Sequence, residues 1–93
     1  MTTCLLKLLD EPTLRVLDFL IDNIAFDHTI TDIAKGAGLS RTTVYKVFEK
    51  LKKLDMVVRT KEFGRAKYYK LNKDNPIVRK LIELDEVVSE VVG

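Results

Sequence analysis

TITDIAKGAGLSRTTVYKVFEKLKKL, residues 29–54, carries two apolar periodicities separated by a pair of glycines. Ile30, Ile33 and Ala34 recur at helical spacing, and Thr29 or Thr31 can cap them, so a short helix is predicted through Lys35. Gly36, Ala37 and Gly38 end it, because glycine tolerates the left-handed backbone that a sharp corner between helices demands. Leu39 tucks under the corner and Ser40 caps a second helix, whose apolar stripe is Val44, Val47, Phe48, Leu51 and Leu54. Ala34, Gly38, Val44 and Val47 stand at the intervals such a corner requires. The small residue lies where the helices cross, glycine makes the turn, and two valines lock the second helix.

Upstream, Asp10, Glu11 and Pro12 form a helix start, since proline presets a helical φ and acidic groups suit the positive end of the helix dipole. Leu14, Leu17, Leu20, Ile21 and Ile24 then predict one buried face, with Arg15, Asp18 and Asp22 turned away. Before it, Cys4, Leu5, Leu8 and Leu9 have helical spacing and predict a short N-terminal helix. Downstream the period changes to that of strands. Residues 56–63 favour β-structure, Gly64 and Arg65 mark a turn, and residues 67–71 make the return strand of a hairpin. Asp74 or Asn75 can cap a last helix that opens on Pro76. The fold class expected is mainly α with a β-hairpin, a single domain over residues 1–93 with its core in residues 10–73.

The 46% of hydrophobic residues exceeds what a disordered chain carries, so a packed core is expected. A net charge of +2 favours no partner, but it is a cancellation. Residues 31–73 hold 12 basic and 4 acidic groups, whereas residues 1–30 and 74–93 each hold 2 basic and 5 acidic. A basic middle between acidic ends predicts that the middle meets a polyanion while the ends do another job.

A helix-turn-helix followed at once by a hairpin is winged. In "LLDEPTLRVLDFL", "ITDIAKGAGLSRTTVYKVFEKLKKLDMVVR" and "GRAKYYKLN" the chain resembles winged helix-turn-helix transcriptional regulators of the ArsR and MarR type, over roughly residues 6–73. The resemblance implies that the second helix of the motif enters the DNA major groove and that the hairpin wing lies on the backbone or in the minor groove. The helical wheel agrees: with the apolar stripe inward, Thr42, Lys46, Glu49 and Lys53 fall opposite and Tyr45 and Lys50 lie on the flanks. Arg41, Thr42, Tyr45 and Lys46 are candidates for base edges or nearby phosphates, and Ser40, Thr43, Lys50 and Lys53 for phosphates. On the wing the candidates are Arg59, Lys61, Arg65 and Lys67, with Arg65 at the tip. Tyr68 and Tyr69 point to opposite faces of their strand, so one is expected in the core and the other on the wing or a dimer surface.

Ile77, Leu81, Leu84, Val88 and Val91 recur at steps of four and three, a heptad seam widened by Val78, Ile82 and Val92. This seam, together with Leu5, Leu8 and Leu9, predicts homodimerisation through residues 75–92 and 1–9, placing two recognition helices one DNA turn apart; the alternative is that the last helix folds back on its own domain. The resulting expectation is a homodimeric, sequence-specific binder of double-stranded DNA acting on a palindromic operator. The alternatives are a winged-helix protein-interaction subunit of a transcription or replication complex, or a non-specific architectural DNA-binding protein. Cys4 and His28 are the only soft ligands and lie on separate elements, so no metal or other cofactor is expected, and no nucleophile with a base or phosphate-cradling loop suggests an enzyme. With one cysteine, no apolar run of membrane-spanning length and no signal-peptide pattern in the sequence, the expected location is a reducing cytoplasm. The residues name no small-molecule effector.

Overall fold

The computed structural model describes Leu5 and residues 8–92. Helices α1 (Glu11–Asp22), α2 (Ile30–Ala37) and α3 (Arg41–Lys53) precede strands β1 (Val57–Phe63) and β2 (Ala66–Leu71), and helix α4 (Pro76–Val92) follows. The core lies where α1, α2 and α3 meet, with Val16, Ile33, Val44, Phe48, Leu51 and Met56 all but sealed from solvent.

Each helix start is set by a side chain that accepts from an otherwise orphaned backbone N–H. Asp10 accepts from Thr13 N at 2.9 Å, and Ser40 Oγ from Thr43 N at 3.1 Å. Of the two candidate caps for α2 it is Thr29 that serves, in a reciprocal box with Asp32 whose two bonds are 3.1 and 3.2 Å. Gly38, at φ 69°, makes the left-handed corner, and the backbone N–H groups of Gly38 and Leu39 close the end of the helix.

Three details differ from the periodicity. Helix α2 continues through Gly36 to Ala37, and Gly36 lies against Phe19 so closely that a methyl group there would overlap the ring. The buried face of α1 is centred on Thr13, Val16, Leu17 and Leu20, because that arc meets α2 and α3; Leu14 is rotated out to 45% exposure, and Ile21 and Ile24 are only partly covered. Leu54 ends the α3 stripe as its C-cap, 39% exposed, and Asp55 beyond it adopts a left-handed φ of 56°.

The strands pair antiparallel across the two-residue loop Gly64 and Arg65, with Gly64 at φ 62°. A bulge at Thr60 shifts the register between Arg59, opposite Tyr69, and Lys61, opposite Tyr68. His28 adds a further rung: its backbone N–H donates to Tyr69 O at 2.9 Å and its carbonyl accepts from Tyr69 N at 2.8 Å, anchoring the wing to the loop before α2. The His28 ring packs edge-on to Phe19, centroids 4.9 Å apart.

The first half of α4 folds back on the domain, with Val78 buried and Ile77, Leu81 and Ile82 packed against the core. Its second half does not, for Leu84, Val87, Val88, Val91 and Val92 are all exposed. Between α1 and α4 runs an apolar groove of about 180 Å³ lined by Leu14, Leu17, Ile21, Leu81, Leu84 and Val88, with Asp18 and Asp85 at its border. Burial, then the nearby Asp22 and Asp85 charges, push the Asp18 carboxyl up from its ordinary value. Of the N-terminal segment, Leu8 packs on the core, Leu5 is exposed, and Leu9 N donates to Leu5 O at 2.7 Å; the Cys4 contribution to this helix lies outside the described residues. Among the described residues no helix is long and apolar enough to cross a membrane.

Asp10 also accepts from Lys50 Nζ at 2.8 Å, joining the start of α1 to the last turn of α3. Lys50, then Thr13, hold its carboxyl down at about 2. Asp10→Ala is therefore expected to cost about 1 kcal/mol at neutral pH, mostly from the lost cap, since the partly exposed ion pair adds little. A depressed carboxyl stabilises the fold in full above its unfolded value of 3.8 and loses that contribution as pH falls through about 2. The gap between wild type and variant in urea unfolding should thus close between pH 4 and pH 2, roughly. An unchanged gap at the acid end would trace the effect to something other than the ionised carboxylate.

Candidate nucleic-acid interface

The corner at Gly38 turns α3 so that its first turns stand beside the wing. Arg41 and Tyr45 of α3, Lys52 about two turns further along, and Arg65, Ala66 and Lys67 of the wing line one open cleft of about 520 Å³, closed on its third side by Thr29 and Thr31. A second hollow of about 300 Å³ continues along the wing past Lys52, Arg59 and Lys67. Tyr69 floors both. Its ring is buried, edge-on to Phe48 at 5.0 Å, and Lys52 Nζ stands 5.2 Å from its centroid. Tyr69 is thus the tyrosine in the core, and Tyr68 the one on the wing.

Among the described residues no carboxylate pairs with Arg41, Lys46, Lys53, Arg65 or Lys67, so their charge is available to an external anion. Thr42, Lys46 and Lys53 are exposed on the outer face of α3, adjoining the cleft. Ser40 and Thr43 mark the helix start, their hydroxyls 2.9 Å apart, with Ser40 engaged as the cap.

Two of the sequence-derived candidates have other engagements. Lys50 is held on the Asp10 carboxylate and lies outside both hollows, so it is a structural cation and not an open phosphate contact. Lys61 is carried by the Thr60 bulge to the opposite face of the wing. There its ammonium lies 4.7 Å above the Tyr68 ring and 3.9 Å from Asp27. Asp27 also accepts from the Thr60 hydroxyl at 2.6 Å, and that bond, before the Lys61 charge, holds its carboxyl below the ordinary value. Arg59 keeps to the Tyr69 side but shares its charge with Glu62 at 3.4 Å.

Lys52 is the residue that sequence reasoning passed over. Its signal was present: Arg41, Tyr45 and Lys52 are four and seven residues apart, one helical face, but which flank of α3 the hairpin covers is settled only by the return of the chain. Among the described residues no group of three or more His, Cys, Asp or Glu side chains is placed to hold a metal ion.

No curated protein matches the chain. Solved structures do. The AntR antimony-specific transcriptional repressor aligns with 98% of this chain and 78% of its own, at 22% identity and a TM-score of 0.72, a likeness of fold. The homodimeric winged helix-turn-helix domain of Mb0332 from Mycobacterium bovis, a possible ArsR-family transcriptional regulator, is 26% identical over 89% of this chain and 71% of its own, TM-score 0.66. The adhesin competence repressor AdcR of Streptococcus pyogenes is 26% identical over 98% and 72%, TM-score 0.68. Residues 26–73 match the family described as "Sugar-specific transcriptional regulator TrmB", a span that holds α2, the glycine corner, α3 and the whole wing. With that match covering more than half its length, the chain belongs to the TrmB family of winged-helix transcriptional regulators.

Proposed function

We propose that the protein binds duplex DNA sequence-specifically as a homodimer, at an operator with two inverted half-sites. The observation that carries this reading is the single cleft that brings Arg41, Tyr45 and Lys52 of α3 together with Arg65 and Lys67 of the wing. A recognition helix in the major groove would set Arg41, Thr42, Tyr45 and Lys46 against base edges, where guanidinium and ammonium groups donate to guanine and a threonine methyl meets thymine. Ser40, Thr43, Lys52 and Lys53 would then hold phosphates, as Arg59, Arg65 and Lys67 would from the wing. The dimer is supported by the exposed half of α4 and its groove, and by the homodimeric state of the Mb0332 domain.

Selection of bound sequences from a random duplex pool tests the reading: an inverted repeat with half-site centres roughly one helical turn apart should be enriched. The logarithm of affinity should fall with the logarithm of salt at a slope of at least about −4, given several open cations per protomer. Arg65→Ala should weaken all sequences alike, by about 1 kcal/mol, whereas Thr42→Ala and Lys46→Ala should alter base preference within each half-site. A flat salt dependence refutes the polyanion contact, and an unenriched pool refutes the sequence specificity.

A further inference from the structure

Phe63 is 77% exposed, although an aromatic ring of its size ordinarily stabilises a fold by being buried. It is the last residue of β1, directly before the loop formed by Gly64 and Arg65, and its cross-strand partner is Ala66, too small to cover it. The tip around it is open: a side chain placed on Gly64 would meet nothing within 4 Å. The exposed valines and leucine of α4 belong to a continuous stripe that a second protomer can cover. Phe63 stands apart from that stripe, at the end of the wing, next in the chain to the loop that carries Arg65.

We propose that Phe63 is an apolar wedge that enters a base step of the minor groove next to the recognition site and bends the duplex. This rests on the duplex-DNA reading above and adds to it the way in which the DNA is deformed. An apolar ring at the end of a cationic loop suits a base stack behind a phosphate wall, because the cations draw the tip in and the ring exchanges water for the faces of bases. The same loop places Arg65 and Ala66 in the cleft with Arg41 and Tyr45, so DNA seated on α3 lies within reach of the tip. A two-stranded hairpin end, about 5 Å between strands, is commensurate with a minor groove about 6 Å wide, which it must pry open, and prying a flexible step with an aromatic ring kinks it. The strands stay paired up to Phe63 and Ala66, and the outer face of the wing carries Tyr68 under Lys61, so the tip is backed by a paired ladder.

The test is ligase-catalysed circularisation of a mixed-sequence duplex of about 100 bp, shorter than the persistence length of about 150 bp, so that bare DNA closes poorly. Occupancy is matched for each variant by fluorescence anisotropy on the same fragment. Wild type should raise the yield of circles at least about tenfold over bare DNA, Phe63→Ala should return it to near the bare level, and Phe63→Leu, which keeps an apolar wedge, should retain most of the gain. Equal circle yields for wild type and Phe63→Ala at matched occupancy overturn the wedge. So does wild-type protein that binds the fragment without promoting closure, while the DNA reading stands. If wild type fails to bind the fragment at low salt, the DNA reading itself falls and the wedge falls with it.

Discussion

Asn75→Ala is expected to destabilise the fold by about 2–4 kcal/mol, lowering the melting temperature by roughly 10–20 °C. The side chain is buried and fully committed. Its amide donates to Leu54 O at 2.7 Å and to Asp55 O at 3.0 Å, while its carbonyl accepts from Ile77 N at 2.8 Å and from Val78 N at 3.2 Å. One residue therefore caps the start of α4 and satisfies carbonyls at the end of α3. Losing the cap costs about 1 kcal/mol, and leaving a buried carbonyl without a donor costs about 1–3 more. Asn72 softens the loss at one point only, because its amide also donates to Asp55 O at 3.0 Å. Asn75→Asp separates the two roles. It keeps the acceptor that caps α4 but sets a carboxylate against the carbonyl oxygens of residues 54 and 55, so it should lose at least half of what alanine loses. Urea unfolding at an unchanged slope reads both variants. A loss below about 1 kcal/mol for alanine would mean that the junction is held by apolar packing alone.

Asn75 also shows where a sequence stops being legible. Its cap is local, a side chain followed by Pro76, and is read from the residues as readily as Asp10, Thr29 and Ser40. Its second role spans twenty residues and leaves no periodic trace. The glycine corner and the α3 stripe were legible because steric limits at Gly38 and burial at Val44, Val47, Phe48 and Leu51 both act over one or two turns. The rotation of α1 onto Val16, the Lys50 bond to Asp10 and the bulge that flips Lys61 each depend on which distant element arrives. Alternation along β1 would place Lys61 on the face of Arg59; Thr60 and Lys61 instead follow Asp27, a residue that no strand period connects to them. The cationic outline of the cleft was thus readable as a basic segment, whereas the turning of Lys50 to Asp10 and of Lys61 to Asp27, and the entry of Lys52 into the cleft, were not.

Leu84→Glu should convert the protein to a monomer, raising the dimer dissociation constant at least about a thousandfold, or 4 kcal/mol. Leu84 is 55% exposed on the protomer, midway along the stripe that continues through Val88 to Val91, and it lines the groove between α1 and α4. The C-terminal half of α4 extends beyond the core, and a helix so short is marginal in water without an apolar partner. In the proposed dimer a symmetric partner would satisfy both needs, each protomer laying its stripe near the other's groove. Twofold symmetry then counts each substitution twice: two leucines forfeit about 1.5–3 kcal/mol of burial each, and two carboxylates must be desolvated. The groove is already bordered by Asp18 and Asp85, mutually repelling, so an added Glu meets negative charge as well as apolar surface. Lys80→Glu controls for charge alone, since Lys80 is exposed near Glu83, off the groove, and should leave the dimer intact. Sedimentation equilibrium reads the outcome directly, as 10.7 kDa for the monomer or twice that mass. The DNA consequence follows from linkage between half-sites. A monomer gives up the second recognition helix's effective concentration, so operator affinity should fall by about 10²–10⁴ while binding to an isolated half-site changes little. Wild-type protein that sediments as a monomer at tens of micromolar, roughly, or Leu84→Glu that stays dimeric, would assign the α4 stripe to another partner and leave the operator to be read one half-site at a time.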